Sequence, residues 1–67
     1  MKALSGKEMC RVLKKRGWTH VRTRGSHRRF EKPDLRPITV PVHRNETLKL
    51  GMQRAILKAA GIDEIEL

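Results

Sequence analysis

The run Gly25-Ser26-His27-Arg28-Arg29 holds the side chains best suited to chemistry in this 67-residue chain. An imidazole titrates near neutral pH, so a histidine can both accept and donate protons. Arginine binds phosphate through planar, bidentate hydrogen bonds, and glycine lets a backbone approach a ligand closely. A phosphate held beside a titratable imidazole is what cleavage of an RNA backbone requires, because the 2′-hydroxyl must lose a proton and the leaving 5′-oxygen must gain one.

These residue types predict a division of roles around His27. We expect His27 to be the catalytic residue, and we predict RNA contacts from its neighbours Arg24, Gly25, Ser26, Arg28 and Arg29. The surrounding guanidinium groups disfavour a further positive charge, so a neutral imidazole is expected, acting as general base or as a partner in both proton transfers. The alternative is an ordinary exposed strand residue, because a single histidine is a weak motif.

Other candidate residues have simpler structural explanations. His43 either supports the site or stabilises a turn, His20 is expected to face solvent, and Ser26 can orient His27 or simply form the turn. Five further residues are predicted to be buried or half-buried packing residues: Met9, Cys10, Trp18, Phe30 and Met52. For the two aromatic residues, stacking on RNA bases is the less favoured alternative.

The charge balance points to a polyanionic partner. The chain has 16 Lys and Arg against 7 Asp and Glu, a net charge of +9, and twelve of the sixteen basic residues lie within residues 1–36. Nucleic acid, an anionic membrane surface and an acidic protein all fit this excess, and a merely solubilising surface is the alternative.

Several classes of protein are disfavoured. No apolar run approaches a membrane span, and the start of the chain lacks an apolar signal core. The only cysteine, Cys10, allows no internal disulfide or thiolate cluster, and the histidines lack metal-ligand spacing. We therefore expect a cytoplasmic protein with no metal and no cofactor. A complete doubly wound nucleotide-binding sheet needs more chain than this.

The sequence predicts one domain, residues 1–67, with a core over about residues 4–62 and an acidic tail over 63–67. A first helix is expected over about residues 6–16. Ser5 and Glu8 form a capping box at its start, and Gly17 is the left-handed residue that ends it.

Alternation of side chains predicts three strands and then a second helix. The strands cover about residues 18–24, 27–32 and 38–42, with a turn at Gly25-Ser26 and an edge position at Pro41. A second helix follows from about Leu50 to a left-handed Gly61, with an apolar stripe of Met52, Ala55, Ile56 and Ala59, widened by Leu57 and Ala60. The fold class is α+β: α-β-β-β-α, with both helices on one face of an antiparallel sheet.

The chain resembles the HicA family of toxin ribonucleases. The similarity is carried by Gly17-Trp18, Gly25-Ser26-His27-x-x-Phe30, Thr39-Val40-Pro41-x-His43 and the helix ending Ala60-Gly61-Ile62, and it runs from about Leu4 to Ile62. The resemblance implies a fold like that of a double-stranded-RNA-binding domain. It also implies a toxin that cleaves mRNA without a metal and is inhibited by a HicB antitoxin encoded beside it, with His27 as the catalytic residue.

One departure and two alternative functions remain at this stage. The family often has Gly-Thr at the start of the last helix where this chain has Gly51-Met52, and methionine lacks the hydroxyl with which threonine could cap that helix. A non-catalytic double-stranded-RNA-binding module shares the element order and basic surface. Such modules use a lysine cluster at the start of the final helix, whereas this chain offers only Lys49, Arg54 and Lys58 there and places most of its basic residues earlier. A DNA-binding protein is weaker still, since no helix-turn-helix spacing is present. A toxin must be masked, so we expect the antitoxin to cover the His27 face.

Overall fold

Helix α1 (Gly6–Lys15) forms because both of its ends are capped by local residues. The computed structural model describes residues 2–63 of the chain. Ser5 Oγ accepts a hydrogen bond from the Glu8 N–H at 3.1 Å, and the Glu8 carboxylate accepts one from the Ser5 N–H at 3.0 Å. At the other end Gly17 has a φ of +90°, and the Trp18 N–H donates to the Leu13 carbonyl at 3.0 Å. The predicted capping box and helix end are confirmed.

Three antiparallel strands follow, in the order β1-β2-β3: β1 (Thr19–Arg24), β2 (His27–Glu31) and β3 (Ile38–Pro41). Each strand lies where it was predicted and is one residue shorter: β1 begins one residue later, and β2 and β3 each end one residue earlier. Arg24 lies opposite His27 across a two-residue turn, as predicted. Because β3 is an edge strand, the missing N–H of Pro41 costs no sheet hydrogen bond on its outer side.

Helix α2 (Leu50–Ala60) ends as predicted, but a different side of the helix faces the core. Gly61 is left-handed, with a φ of +70°, and the Ile62 N–H donates to the Leu57 carbonyl at 2.9 Å. Its N-cap residue, Lys49, makes no capping hydrogen bond through its side chain. The predicted apolar stripe is wrong at three positions: Met52 is 45% exposed, and Ala55 and Ala59 are also exposed.

The buried face of α2 instead contains Gln53, which is only 1% exposed. Its Oε1 accepts the Leu4 N–H at 2.8 Å, and its Nε2 donates to the Lys2 carbonyl at 2.6 Å. A buried amide is tolerated when its polar atoms are paired, and here both ends are bonded to the N-terminal segment. This pairing turns α2 so that Gln53, Ile56 and Leu57 face the core and Met52 faces solvent.

Both helices cover the same face of the sheet, which confirms the α+β fold resembling a double-stranded-RNA-binding domain. The largest fully buried apolar side chains are Met9, Leu13, Phe30, Val40 and Leu57. Cys10 and Trp18 are buried too, so of the five predicted packing residues only Met52 was misplaced. Among residues 2–63, neither helix is long and apolar enough to cross a bilayer. Most of the predicted acidic tail, residues 64–67, lies outside the described residues.

Candidate active site on the open face of the sheet

The sheet has a covered face, against the helices, and an open face on the other side. Directly paired residues of antiparallel strands place their side chains on the same face. Phe30 pairs with Ile38 and Arg28 with Val40, and these buried partners define the covered face. The alternate rows form the open face: Arg24 with His27 and Pro41, Arg22 with Arg29 and Thr39, and Thr19 with Glu31.

His27 is exposed on the open face and lies among arginines. A shallow cavity of about 200 Å³ is lined by this histidine together with Arg22, Arg24, Arg29 and Thr39. Every charged residue in this lining is basic, so the local potential attracts an anion. The cavity is accessible to a chain-like ligand lying across the sheet, because neither α1 nor α2 covers this face.

A β-bulge in β1 separates Arg22 and Arg24, which share the face of His27, from the start of the strand. The register shifts between His20, which pairs with Phe30, and Arg22, which pairs with Arg29, so that Val21 is an extra residue. Without that extra residue, strict alternation from His20 would put Arg22 and Arg24 on the covered face. The bulge reverses this alternation and places both on the open face.

His20 precedes the bulge, and its ring is hydrogen-bonded to two residues that follow it. Its Nε2 is 3.1 Å from the Arg22 carbonyl oxygen and 2.9 Å from Thr23 Oγ1. Its ring also packs on Phe30, with centroids 5.3 Å apart. The ring is exposed, as predicted, but it is held by three neighbours and therefore stabilises the irregular backbone beside Arg22.

The predicted site residues do not all come together. Arg24 and Arg29 share the open face with His27, and Gly25 and Ser26 form the adjoining turn. Arg28 does not: it pairs with Val40 on the covered face, where its guanidinium interacts with the Cys10 thiol. Arg28 therefore lies on the opposite face from His27, because successive residues of a strand point to opposite faces, and its RNA contact stays a prediction.

Arg22 is the site residue that the sequence analysis missed. The turn could have revealed it. Arg24 and His27 flank the Gly25-Ser26 turn and share a face, and Arg22, two residues before Arg24 in the strand, lies on that same face. The arginines that line the cavity with His27 are therefore Arg22, Arg24 and Arg29.

The turn beside His27 is firmly held and leaves its backbone accessible. Gly25 has a φ of +59°, the conformation that favours glycine at the first position of a two-residue hairpin turn. A side chain built on Gly25 would meet no atom within 4 Å, so a ligand can approach the main chain there. The Ser26 carbonyl accepts the Val42 N–H at 2.6 Å, which ties the turn to the end of β3.

Other groups near the site are accounted for by local interactions. Arg29 Nε donates to a Glu31 carboxylate oxygen at 3.1 Å, which uses one of the five N–H donors of its guanidinium. Burial raises the pKa of the Cys10 thiol, and Arg28 opposes that rise. Within residues 2–63, no three His, Cys, Asp or Glu side chains cluster closely enough to hold a metal ion.

Comparison with known proteins identifies the family. The sequence profile of the family described as HicA toxin of bacterial toxin-antitoxin matches residues 6–62. The chain belongs to the HicA toxin family. A search of curated proteins finds no match.

Membership of the HicA family gives this site its biological setting. A toxin of a toxin–antitoxin system acts with an antitoxin as its partner. The matched range contains both helices, all three strands and the whole cavity at His27. The resemblance noted in the sequence is thereby confirmed.

Proposed function

We propose that this HicA-family toxin is an endoribonuclease that cleaves mRNA, with His27 as its catalytic residue and without a metal. The observation that carries the proposal is the exposed His27 imidazole in a cavity whose other charged residues are all arginines. A double-stranded-RNA-binding fold without such a cavity would support binding only. Here a surface suited to a polyanion lies beside an imidazole, a group that is able to accept and donate protons.

The proposed reaction is an internal transesterification. His27 removes the proton of the 2′-hydroxyl, whose oxygen then attacks the adjacent phosphorus. The bond from phosphorus to the 5′-oxygen breaks, and that oxygen takes a proton from the His27 imidazolium or from water. The products are a 2′,3′-cyclic phosphate and a free 5′-hydroxyl, so atoms and charge balance without a co-reactant.

The arginines are proposed to stabilise the charge that develops on the phosphorane. Arg22, Arg24 and Arg29 surround His27 on the open face, and guanidinium groups bind phosphate oxygens bidentately. They supply the electrostatic stabilisation for which other nucleases use a metal ion. The Gly25-Ser26 backbone is proposed to contact the same phosphate, because the turn is open to solvent at Gly25.

The direct test is cleavage of a labelled single-stranded RNA in buffer with EDTA. We expect wild-type protein to produce fragments ending in a 2′,3′-cyclic phosphate, and His27→Ala to lower the rate by about 10²- to 10⁴-fold. A matched control is Thr19→Ala, which truncates an exposed side chain on the same face but outside the cavity. Circular dichroism and thermal melts establish that both variants are folded.

Three outcomes contradict the proposal in different ways. A folded His27→Ala protein that cleaves at the wild-type rate excludes the catalytic role. Loss of cleavage in EDTA, with recovery on adding a divalent cation, excludes metal independence. Wild-type protein that binds duplex RNA without cutting any RNA identifies the alternative, a non-catalytic binding module.

We further propose that the antitoxin is of the HicB type and inhibits by covering the open face. The support is the exposed group of arginines, which attracts an acidic or groove-filling partner and predicts association that weakens as salt increases. Hydrogen exchange of the co-purified complex tests this. We expect protection at residues 22–29, and inhibition with protection confined to α2 would instead require an allosteric mechanism.

A further inference from the structure

A second groove, of about 300 Å³, lies between the end of β3 and the start of α2. Part of its wall is apolar, from Pro41, Leu48 and Met52. The polar part of the wall comes from His43, Glu46, Thr47 and Lys49, so the lining holds one acidic and one basic side chain. The proposed reaction at His27 uses none of these side chains.

The groove adjoins the proposed active site through one shared residue. Pro41 lines the groove and is also the β3 partner of His27. Paired residues of antiparallel strands have Cα atoms about 4.5–5.5 Å apart. An RNA strand with one phosphate at His27 therefore has a neighbouring base within reach of the groove.

The size and lining of the groove suit a nucleobase. A volume of about 300 Å³ is at the small end for ligand sites, which favours a single ring system over a peptide. Single-stranded RNA is recognised by stacking bases on aromatic side chains, histidine included, or on guanidinium groups, and by hydrogen bonds to the base edges. The His43 imidazole provides a stacking surface, Pro41 and Met52 provide apolar contacts, and the side chains of Glu46, Thr47 and Lys49 provide hydrogen-bonding groups.

Glu46 is the side chain that can distinguish between bases. A carboxylate only accepts hydrogen bonds, so it favours bases that present N–H groups. Guanine presents two adjacent N–H groups on its Watson–Crick edge and can pair with both oxygens, whereas uracil presents one N–H between two carbonyls, which repel a carboxylate.

A tight turn holds the polar lining in place. The Glu46 N–H donates to the His43 carbonyl at 3.0 Å, and Arg44 within the turn has a φ of +52°. A left-handed conformation is unfavourable for an arginine and persists only where its surroundings hold it. The turn brings His43 and Glu46 to the same groove.

We propose that this groove binds the base next to the cleaved phosphodiester and that Glu46 makes guanine the preferred base there. The inference rests on the proposed ribonuclease function, and it adds a specificity site outside the catalytic cavity. It assigns Glu46 to substrate selection, so changes at Glu46 alter which linkages are cut.

Two measurements test the groove. In an NMR titration of wild-type protein, we expect 5′-GMP to shift the amide signals of Glu46, Thr47 and Met52, and to bind about tenfold tighter than 5′-UMP. In cleavage of an RNA pool with randomised bases, we expect a similar preference for guanine beside the cut. Glu46→Ala should abolish both preferences, while Asp34→Asn, which neutralises an exposed acid in another loop, should change neither.

The two proposals fail in distinguishable ways. Cleavage that keeps its base preference in folded Glu46→Ala, with no GMP-induced shifts at the groove, overturns the specificity site and leaves the ribonuclease function intact. Wild-type protein that binds GMP in the groove but cuts no RNA overturns the ribonuclease function, and with it the role of the groove in cleavage. Loss of the guanine preference in Glu46→Ala, with cleavage still dependent on His27, supports both.

Discussion

The two faces of the sheet are built from alternating residues of one strand and have opposite characters. Along β2, His27 and Arg29 lie on the open face, while Arg28 and Phe30 lie on the covered face. Phe30 is fully buried, at 0% exposure, whereas His27 is exposed. The buried side chains that stabilise the fold lie on one face, and the side chains proposed for the chemistry lie on the other. The two sets alternate residue by residue along β2.

This contrast indicates that function and folding can be changed separately in a very small domain. A chain of this size has a thin core, so each covered side chain matters for stability. The open face has no apolar row to bury, and its mutual repulsion among arginines is a cost that the covered face must offset. Substitutions on each face measure how complete this separation is.

The largest expected effect on stability is that of Phe30→Ala. Removing a fully buried phenylalanine costs about 3–5 kcal/mol, which is comparable with the whole stability of a small domain. We therefore expect the variant to be mostly unfolded by circular dichroism, with Phe30→Leu folded but weakened in urea denaturation. The comparison variant His27→Ala should denature close to wild type, and a Phe30→Leu protein as stable as wild type would contradict this account of the covered face.

A pair of arginine substitutions tests the faces through activity. Arg22→Ala removes an open-face guanidinium, and a charge-assisted hydrogen bond of about 1.5–3 kcal/mol corresponds to a loss of about 10- to 100-fold in kcat/KM. The salt dependence of RNA binding should also become shallower by about one phosphate contact. The measurements are cleavage kinetics and binding at several salt concentrations.

Arg28→Ala is the matched control for that loss, because it removes the same charge from the covered face. We expect cleavage close to that of wild type and a further rise in the pKa of the Cys10 thiol, since Arg28 lowers that pKa. The pH dependence of thiol alkylation measures the second effect. If Arg28→Ala lost as much activity as Arg22→Ala, the division between the faces would not hold for RNA binding.

Gly6→Ala probes the contact between the start of α1 and the end of β3, where Pro41 pairs with His27. A Cβ at Gly6 would collide with the Pro41 carbonyl oxygen and lie 2.9 Å from the Val42 Cα. Overpacking of this kind costs about 1–3 kcal/mol, and relief requires a shift of the strand end opposite His27. We expect lower stability in urea together with reduced cleavage. Unchanged stability would show that the α1–β3 contact is looser than the structure indicates.

The smallest expected effect is the pH dependence contributed by Glu8. Its hydrogen bond from the Ser5 N–H lowers the pKa of the carboxyl below its ordinary value of 4.5. A lowered pKa in the folded state stabilises the protein above the unfolded value, and that contribution is lost as pH falls through the folded value. Glu8→Gln should reduce the loss of thermal stability between pH 7 and pH 3, and an unchanged pH profile would contradict this role for the capping box.

Much of the fold could be predicted because its signals are local. The capping box of α1 involves residues three apart, and the left-handed Gly17 and Gly61 complete helix ends within one turn. The Gly25-Ser26 turn likewise set the pairing of Arg24 with His27. Such features depend on backbone hydrogen bonds between near neighbours, which residue types reveal directly.

The failures came from contacts between distant segments. The sequence pattern predicts Met52 in the core and not Gln53, because the side of α2 that faces inward depends on hydrogen bonds between the Gln53 amide and the backbone of Lys2 and Leu4, about fifty residues earlier. The sequence pattern of α2 is compatible with either orientation. Only the N-terminal segment, once folded against the helix, provides partners for a buried glutamine.

The candidate site shows the same division. The residue types alone identified His27 and its arginine-rich surroundings, because imidazole and guanidinium have few equivalents in proton transfer and phosphate binding. The Gly25-Ser26 turn places Arg24 and Arg22 on the face of His27, whereas the unpaired residue Val21 decides how the start of β1, with His20, pairs with β2. A strand pattern is periodic and does not record an insertion in its pairing, so the register of β1 before the bulge had to come from the folded sheet.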